Sequence, residues 1–224
     1  DIQQSMLPSQ LPQQGWLVAN GGSQACYQVG GDYFDVMPLG EDRWGVVLAD
    51  VSGKGVSAAL MASLIQGAFF AAGNVESRLA DTVSRINRYI CDRSKNARFV
   101  TVFHSLISSD GTMRWISAGH CPALLARANG DLERLAASAV PLGVFPDSRF
   151  PVQELQLAAG DKLVIYSDGV SEATNWSRER FGEQRLARIV MENYAASPAE
   201  LYETLNREVS AFMSGASQND DLTL

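Results

Sequence analysis

Four short segments of the chain carry aspartates at points where a carboxylate could do chemistry. The segments read GGDYFDV, VVLADVSGKG, LVIYSDGV and NDDLTL, and the aspartates of interest are Asp32, Asp50, Asp168, Asp220 and Asp221. Each lies at the end of an apolar, strand-like run or beside a glycine turn, where burying a carboxylate is costly unless it is hydrogen-bonded, paired or bound to a cation. Within these segments Lys54 is the only basic residue. Oxygen-only ligands favour Mg²⁺ or Mn²⁺ over zinc or copper, and two such ions would bind a phosphate.

Glycines beside the aspartates support this interpretation. Gly30-Gly31 and the turn Gly53-Lys54-Gly55 allow the backbone to approach a ligand closely. The helix predicted after Gly55 would present N-terminal amides that favour an anion, and Lys54 could contact that anion or simply be a solvated turn residue. Any one aspartate alone is better explained by an Asx turn or a helix cap. Four such segments together favour a metal site.

Several other kinds of chemistry are disfavoured. His104 lies in an alternating strand-like run and His120 in a turn, neither at the spacing of a zinc site or a catalytic triad, and no glycine-rich nucleotide-binding motif occurs. The three cysteines match no metal or disulfide pattern, which favours a cytoplasmic location. The net charge is −7 and no Lys/Arg block or long apolar run is present, so we expect neither a nucleic-acid partner nor a membrane span in this segment.

The elements that would position the aspartates follow from hydrophobic periodicity. Short apolar runs predict strands at GWLVA, YFDVMPL, WGVVLADV, 99–108, 112–118, 123–127, VQELQL and KLVIYS, the last being typical of a central strand. A period of 3.6 predicts helices from Gly55 to Gly73, around 78–94, around Leu186–Val190 and from Leu201 to Phe212, and the terminal LTL reads as a strand. Strand blocks interleaved with helix pairs predict a layered α+β domain with antiparallel sheets, and disfavour a parallel Rossmann sheet.

Six motifs together resemble a known family. GGDYFDV, ADVSGKGVSAALMA, SAGHCPALL, PLGV, YSDGVSEA and NDDLTL occur in the order seen in the SpoIIE/RsbU-type branch of the PPM metal-dependent protein serine/threonine phosphatases. The similarity runs from about Ile2 to Leu224. It implies a four-layer αββα sandwich of two antiparallel sheets flanked by helix pairs. It also implies that residues 1–14 end an upstream helical linker and that 15–224 form the phosphatase domain of a longer regulator.

The resemblance implies roles for individual residues. Two divalent cations, Mn²⁺ or Mg²⁺, would be held by Asp32, Asp50, the carbonyl of Val51, Asp168 and Asp220. Asp50 would bridge both ions, and Asp50 and Asp32 would be catalytic through a metal-bridging hydroxide that attacks a phosphoserine or phosphothreonine directly. Candidates to support these ligands or bind phosphate are Gly31, Lys54, Gly169 and Asp221.

The resemblance also implies partners, with alternatives beside it. The expected substrate is a phosphorylated STAS-domain anti-anti-sigma factor, with a sensory or receiver domain upstream in the same chain and a homodimer through the helical linker. The first alternative is a catalytically silent partner-switch binding domain with the same fold. A nucleotide cyclase is suggested by the likeness of GGDYF to GGDEF, but Tyr33 takes the place of the second acidic residue. A phosphohydrolase acting on small molecules is the third alternative.

Overall fold

The computed structural model describes residues 7–8, 10–73, 79–93 and 98–224. These residues form strands and helices arranged in layers. The strands are β1 (Ser23–Gln24), β2 (Asp32–Pro38), β3 (Arg43–Val51), β4 (Val100–Ser108), β5 (Thr112–Ala118), β6 (Ala123–Ala126), β7 (Leu132–Leu135), β8 (Gln153–Gln156), β9 (Lys162–Val164) and β10 (Leu222–Thr223). One sheet has the order β2-β3-β4-β5-β8, a second has the order β7-β6-β9, and β1 pairs with β10. All of these strand pairs are antiparallel.

Helices cover the outer faces of the two larger sheets. They are α1 (Val56–Gly73), α2 (Leu79–Arg93), α3 (Asp168–Glu172), α4 (Glu183–Glu192) and α5 (Pro198–Met213). The start of α5 shows how local sequence sets a boundary. The Ser197 side chain accepts a hydrogen bond from the Glu200 amide, the Glu200 side chain accepts one from the Ser197 amide, and Pro198 occupies the first turn.

Three apolar clusters hold the layers together. The first joins α1 and α2 to the five-stranded sheet and includes Tyr33, Ile65, Phe69, Ile86 and Ile116. The second lies between the two sheets and includes Phe103, Met113, Trp115 and Leu125. The third joins the three-stranded sheet to α4 and α5 and includes Leu124, Leu186, Leu201 and Leu205. The order helix pair, sheet, sheet, helix pair confirms the predicted αββα sandwich.

One predicted strand is absent, and another is shorter than predicted and lies at the edge of its sheet. Residues 15–19, all of which the structure describes, form no strand: Leu17 packs against the cluster between the sheets, while Trp16 and Val18 are largely exposed. KLVIYS is not a central strand, because β9 covers only its first three residues and lies at the edge of its sheet. Its alternate residues pack into different clusters, Leu163 and Ile165 between the sheets and Val164 and Tyr166 under α4 and α5. Because side chains on both faces of this segment pack against other residues, its sequence is continuously apolar, as in a central strand.

The predicted linker helix lies mostly outside the described residues, because residues 1–6 and 9 are among those not described. The described residues 7–8 and 10–14 adopt no helix. Across the part of the chain that the structure describes, no helix has the length and apolar character needed to cross a membrane.

Candidate functional site

Asp32 and Asp50 are direct partners in the antiparallel pair of β2 and β3. Direct partners carry their side chains on the same face of the sheet, with Cβ atoms about 5 Å apart. Asp32 is buried and Asp50 is partly buried. The strand pair therefore brings together the two carboxylates that the sequence placed in separate motifs.

The Asp32 carboxylate is buried among hydroxyl groups. The Thr223 hydroxyl donates a hydrogen bond to Oδ2 of Asp32 over 2.5 Å. Burial raises the pKa of Asp32 well above its usual range, and the Asp50 carboxylate raises it too, while the hydroxyls of Thr223 and Ser167 act in the opposite direction. Thr223 belongs to β10, so the end of the chain contributes directly to the site.

The electrostatics of Asp50 connect it with the other motif aspartates. Its pKa is raised to about 7, first by burial and then by the carboxylates of Asp168, Asp220 and Asp221, whereas Lys54 lowers it. The pKa of Asp168 is raised by burial and then by Asp220. The fold therefore gathers carboxylates from all four motifs close enough to repel one another.

The neighbours Asp220 and Asp221 have different surroundings. The Asp221 carboxylate is buried and accepts hydrogen bonds from the amides of Gly31 at 2.5 Å, Cys26 at 2.7 Å and Asp32 at 3.4 Å. The Asp220 side chain is 43% exposed and lies 2.7 Å from the Lys54 ammonium, which also donates to the carbonyl of Asn219. Asp221 thus organises the backbone before β2, while Asp220 faces a cation.

The turn that carries Asp168 is tied to the last strand. The Ser167 hydroxyl donates to the carbonyl of Asp221 and accepts from the amide of Thr223, both at 3.1 Å. Asp168 is the first residue of α3, and a Cβ on the next residue, Gly169, would collide with the Asp221 carbonyl. This close approach explains why a glycine follows Asp168.

The two remaining backbone candidates lie beside the carboxylates. The amide of Val51 donates to the carbonyl of Gly31 over 3.3 Å, and a Cβ on Gly31 would come 3.0 Å from the carbonyl oxygen of Val51. The carbonyl proposed as a ligand therefore lies against the glycine that precedes Asp32. Sequence reasoning missed the hydroxyls of Ser167 and Thr223, because a hydroxyl next to an aspartate motif carries no distinctive spacing.

The donor chemistry fits a hard divalent cation, since the gathered side chains offer carboxylate oxygens whose mutual repulsion a cation would relieve. Among the described residues, no three His, Cys, Asp or Glu side chains converge tightly enough to hold one ion in their present positions. The Lys54 ammonium forms an ion pair with Asp220. The Thr223 hydroxyl donates a hydrogen bond to Asp32. A cation at Asp220 would therefore compete with the Lys54 ammonium for that carboxylate.

Comparisons with known proteins show which family the sequence resembles. Residues 40–224 match the family model described as Stage II sporulation protein E (SpoIIE). Protein IcfG from Synechocystis sp. is 29% identical over 253 residues, covering all of this chain and 39% of that protein. Phosphoserine phosphatase RsbU from Bacillus subtilis is 26% identical over 208 residues, covering 92% of this chain and 61% of that protein. The chain thus spans less than two thirds of these curated relatives.

Solved structures share the fold at low sequence identity. The SiaA-PP2C domain of Pseudomonas aeruginosa superposes with a TM-score of 0.83 at 20% identity, covering 99% of this chain and 90% of that one. RsbX in complex with magnesium superposes with a TM-score of 0.67 at 15% identity, covering 91% of this chain and 90% of that one. These structures extend the similarity to the layered architecture.

Proposed function

The chain belongs to the SpoIIE family, and we propose that it is a metal-dependent protein serine/threonine phosphatase. The family expected from the six motifs is confirmed, and the chain is homologous to the phosphoserine phosphatase RsbU. The observation that carries the proposal is the direct pairing of Asp32 with Asp50, together with the carboxylates of Asp168 and Asp220, which raise the pKa of Asp50. Asp32 is buried and Asp50 is partly buried, so carboxylates gathered around them are unfavourable unless a cation joins them.

The proposed cofactors are two divalent cations, Mn²⁺ or Mg²⁺. The residues that would hold them are Asp32, Asp50, Val51 through its carbonyl, Asp168 and Asp220. When bound, such ions supply an activated water and positive charge for phosphoryl oxygens. The magnesium complex of the similarly folded RsbX supports this choice of metal chemistry.

The chain's own residues prepare the site in distinct ways. Thr223 orients the Asp32 carboxylate, and Ser167 joins the Asp168 turn to the last strand. Asp221 fixes the backbone of Gly31 and Asp32 through amide hydrogen bonds, which sets where β2 begins. Lys54 lies at the exposed side of Asp220, where its ammonium can attract the phosphate of a substrate.

The proposed substrate is a phosphoserine on a STAS-domain anti-anti-sigma factor, in a cytoplasmic partner-switching pathway. The relationship to RsbU supports this class of substrate. Residues 1–14 would end a helical linker from a sensory or receiver domain, and that linker would also form a homodimer. The proposed upstream domain would lie outside this chain, which spans 39% of IcfG and 61% of RsbU.

One observation favours a second candidate, a catalytically silent binding domain with the same fold. Lys54 occupies the Asp220 carboxylate, and no three candidate ligands converge among the described side chains. A chain that kept this arrangement permanently would bind a phosphoprotein without hydrolysing it. The two candidates differ in whether added Mn²⁺ displaces Lys54.

Phosphate release from a phosphorylated STAS-domain protein, measured with Mn²⁺ and with EDTA, separates the candidates. We expect release only with Mn²⁺, with loss in Asp50→Ala and Asp168→Ala. Asp147→Asn is a suitable control, because the Asp147 side chain is exposed and forms a surface ion pair with Arg88, whose side chain is also exposed. Binding of the phosphoprotein without release in either condition would favour the silent domain. Release in EDTA would refute the metal dependence, and release by both alanine variants equal to that of the wild type would refute the assigned site.

A further inference from the structure

Asp50 has a second direct partner, on the other side of β3. Thr101 of β4 lies opposite Asp50 in register, so the order across the sheet is Asp32, Asp50, Thr101. Direct partners share a face, which places the Thr101 side chain beside the Asp50 carboxylate. The hydroxyl of Thr101 is engaged by His120, whose Nδ1 lies 2.8 Å from Oγ1. A hydrogen-bonded pair therefore stands next to the central carboxylate of the site.

His120 lies between the two sheets in a turn that allows little movement. It follows Gly119, which has a φ of 64° and on which a Cβ would collide with Pro141. The imidazole is 3% exposed, and its Nε2 has no hydrogen-bond partner among the described residues. Burial lowers the pKa of His120 to about 4, against the effect of the Tyr166 backbone, so the ring is neutral at pH 7.

The far side of this imidazole points to the Asp168 turn. The backbone group that acts on the ring belongs to Tyr166, two residues before Asp168. The next residue in the same turn, Cys121, has a pKa raised to about 12 by burial and then by the carboxylates of Asp168 and Asp50. The carboxylates of Asp168 and Asp50 are thus both close enough to this turn to raise the pKa of Cys121.

We propose that His120 and Thr101 form a positioning pair that sets the separation between Asp50 on the five-stranded sheet and the turn carrying Asp168. The inference rests on the proposed metal site and deepens it by adding residues that act through its ligands. A neutral imidazole has one donor and one acceptor nitrogen, so Nδ1 can engage the Thr101 hydroxyl while the other nitrogen remains on the side of the Tyr166 backbone. Groups that orient ligands in this way commonly change metal affinity 10- to 100-fold when removed.

A matched pair of substitutions at Thr101 tests this role. Thr101→Val removes the hydroxyl and keeps the shape, whereas Thr101→Ser keeps the hydroxyl. We expect the dissociation constant for Mn²⁺, measured by isothermal titration calorimetry, to rise about 10- to 100-fold in Thr101→Val and to stay close to wild type in Thr101→Ser. In His120→Asn the side-chain amide can take the place of Nδ1, but it is too short to reach toward Tyr166 as the imidazole does. This variant should also weaken Mn²⁺ binding. Equal Mn²⁺ affinity in Thr101→Val and wild type would overturn the proposal.

Amide hydrogen exchange of the metal-free chain gives a second measurement that needs neither metal nor activity. The amide of Ser167, which donates to Thr223, should exchange faster in Thr101→Val than in Thr101→Ser. The amide of Leu157, which donates to Gly111, serves as a remote reference for global stability. Equal acceleration at both amides would show general destabilisation and count against positioning. If the wild type binds no Mn²⁺, the proposed metal site fails, and the exchange at Ser167 alone decides the positioning role.

Discussion

Asp32 and Asp50 face each other directly across β2 and β3, so the start of the larger sheet holds two carboxylates in one cross-strand pair. Like charges directly opposite each other destabilise a sheet. Burial increases the effect, and the pKa values of both residues are raised. An arrangement that is unfavourable for the metal-free fold is expected where binding a cation is the function.

Replacing one of these carboxylates should stabilise the metal-free chain. The pKa of Asp50 is about 7 in the folded chain, above its ordinary value of 3.8, so its contribution to stability is present at low pH and is lost as the pH rises through about 7. In EDTA at pH 8 we expect Asp50→Asn to raise the free energy of unfolding by roughly 1–3 kcal/mol. Urea unfolding at pH 8 and pH 4 measures this, and the gain should shrink at pH 4.

The same variant should lose its response to Mn²⁺. A ligand that binds only the folded state stabilises by about 2.7 kcal/mol at 100 times its dissociation constant. We expect Mn²⁺ to stabilise the wild type and Asp147→Asn, but not Asp50→Asn. A fall in stability of Asp50→Asn in EDTA at pH 8 would contradict this account of the pair.

The two aspartates near the C-terminus should separate function from stability. Asp221 accepts three backbone amides while buried, so Asp221→Asn should lower the free energy of unfolding in EDTA by about 1–3 kcal/mol. Asp220→Asn removes a half-exposed ion pair and should change stability by less than about 1 kcal/mol. Mn²⁺-dependent phosphate release should nevertheless be lost in Asp220→Asn. The reverse pattern would identify Asp221 as the ligand.

The sequence predicts features that depend on residues close together in the chain better than contacts between residues far apart in the chain. The layered antiparallel architecture and the long helices follow from local periodicity, the αββα order follows from the resemblance to the family, and three of the four aspartate motifs stand out because glycines accompany them. The edge position of β9 could not be read from KLVIYS, since its two buried faces belong to different clusters. The contacts of Asp32 with Thr223 and of Thr101 with His120 join distant residues through common side chains. No spacing rule identifies such pairs, so only the fold reveals them.

Acid should destabilise the chain through its buried histidines. The His104 ring packs against Phe69, its Nδ1 donates to the carbonyl of Val46, and burial lowers its pKa to about 4. The unfolded chain takes up a proton near pH 6.5 and the folded chain near pH 4, so the stability contributed by neutral His104 is present above pH 6.5 and is lost as the pH falls toward 4. The slope approaches about 1.4 kcal/mol per pH unit for each such histidine.

His104→Asn, which keeps a donor for the Val46 carbonyl, isolates this effect. Urea unfolding in EDTA between pH 7 and pH 4.5 should show the variant less stable than the wild type at pH 7, with the difference narrowing as the pH falls. Carboxylates that titrate in the same range contribute equally to the pH dependence of both proteins, so their contribution cancels in the difference. An unchanged difference across this range would show that His104 has the same pKa in the folded and unfolded chains, which would contradict this account.

Lys54 should oppose the metal and assist the substrate. Its ammonium contacts the Asp220 carboxylate and the Asn219 carbonyl, the position in which it competes with a cation for Asp220. We expect Lys54→Met to bind Mn²⁺ more tightly by calorimetry while its KM for the phosphoprotein rises, because the positive charge that attracts phosphate is gone. Arg114→Met is the matched control, since it removes the positive partner of another surface ion pair, the more exposed pair with Glu154. Weaker Mn²⁺ binding in Lys54→Met would mean that Lys54 orients Asp220 for the cation instead of competing with it, and an unchanged KM would remove Lys54 from phosphate recognition.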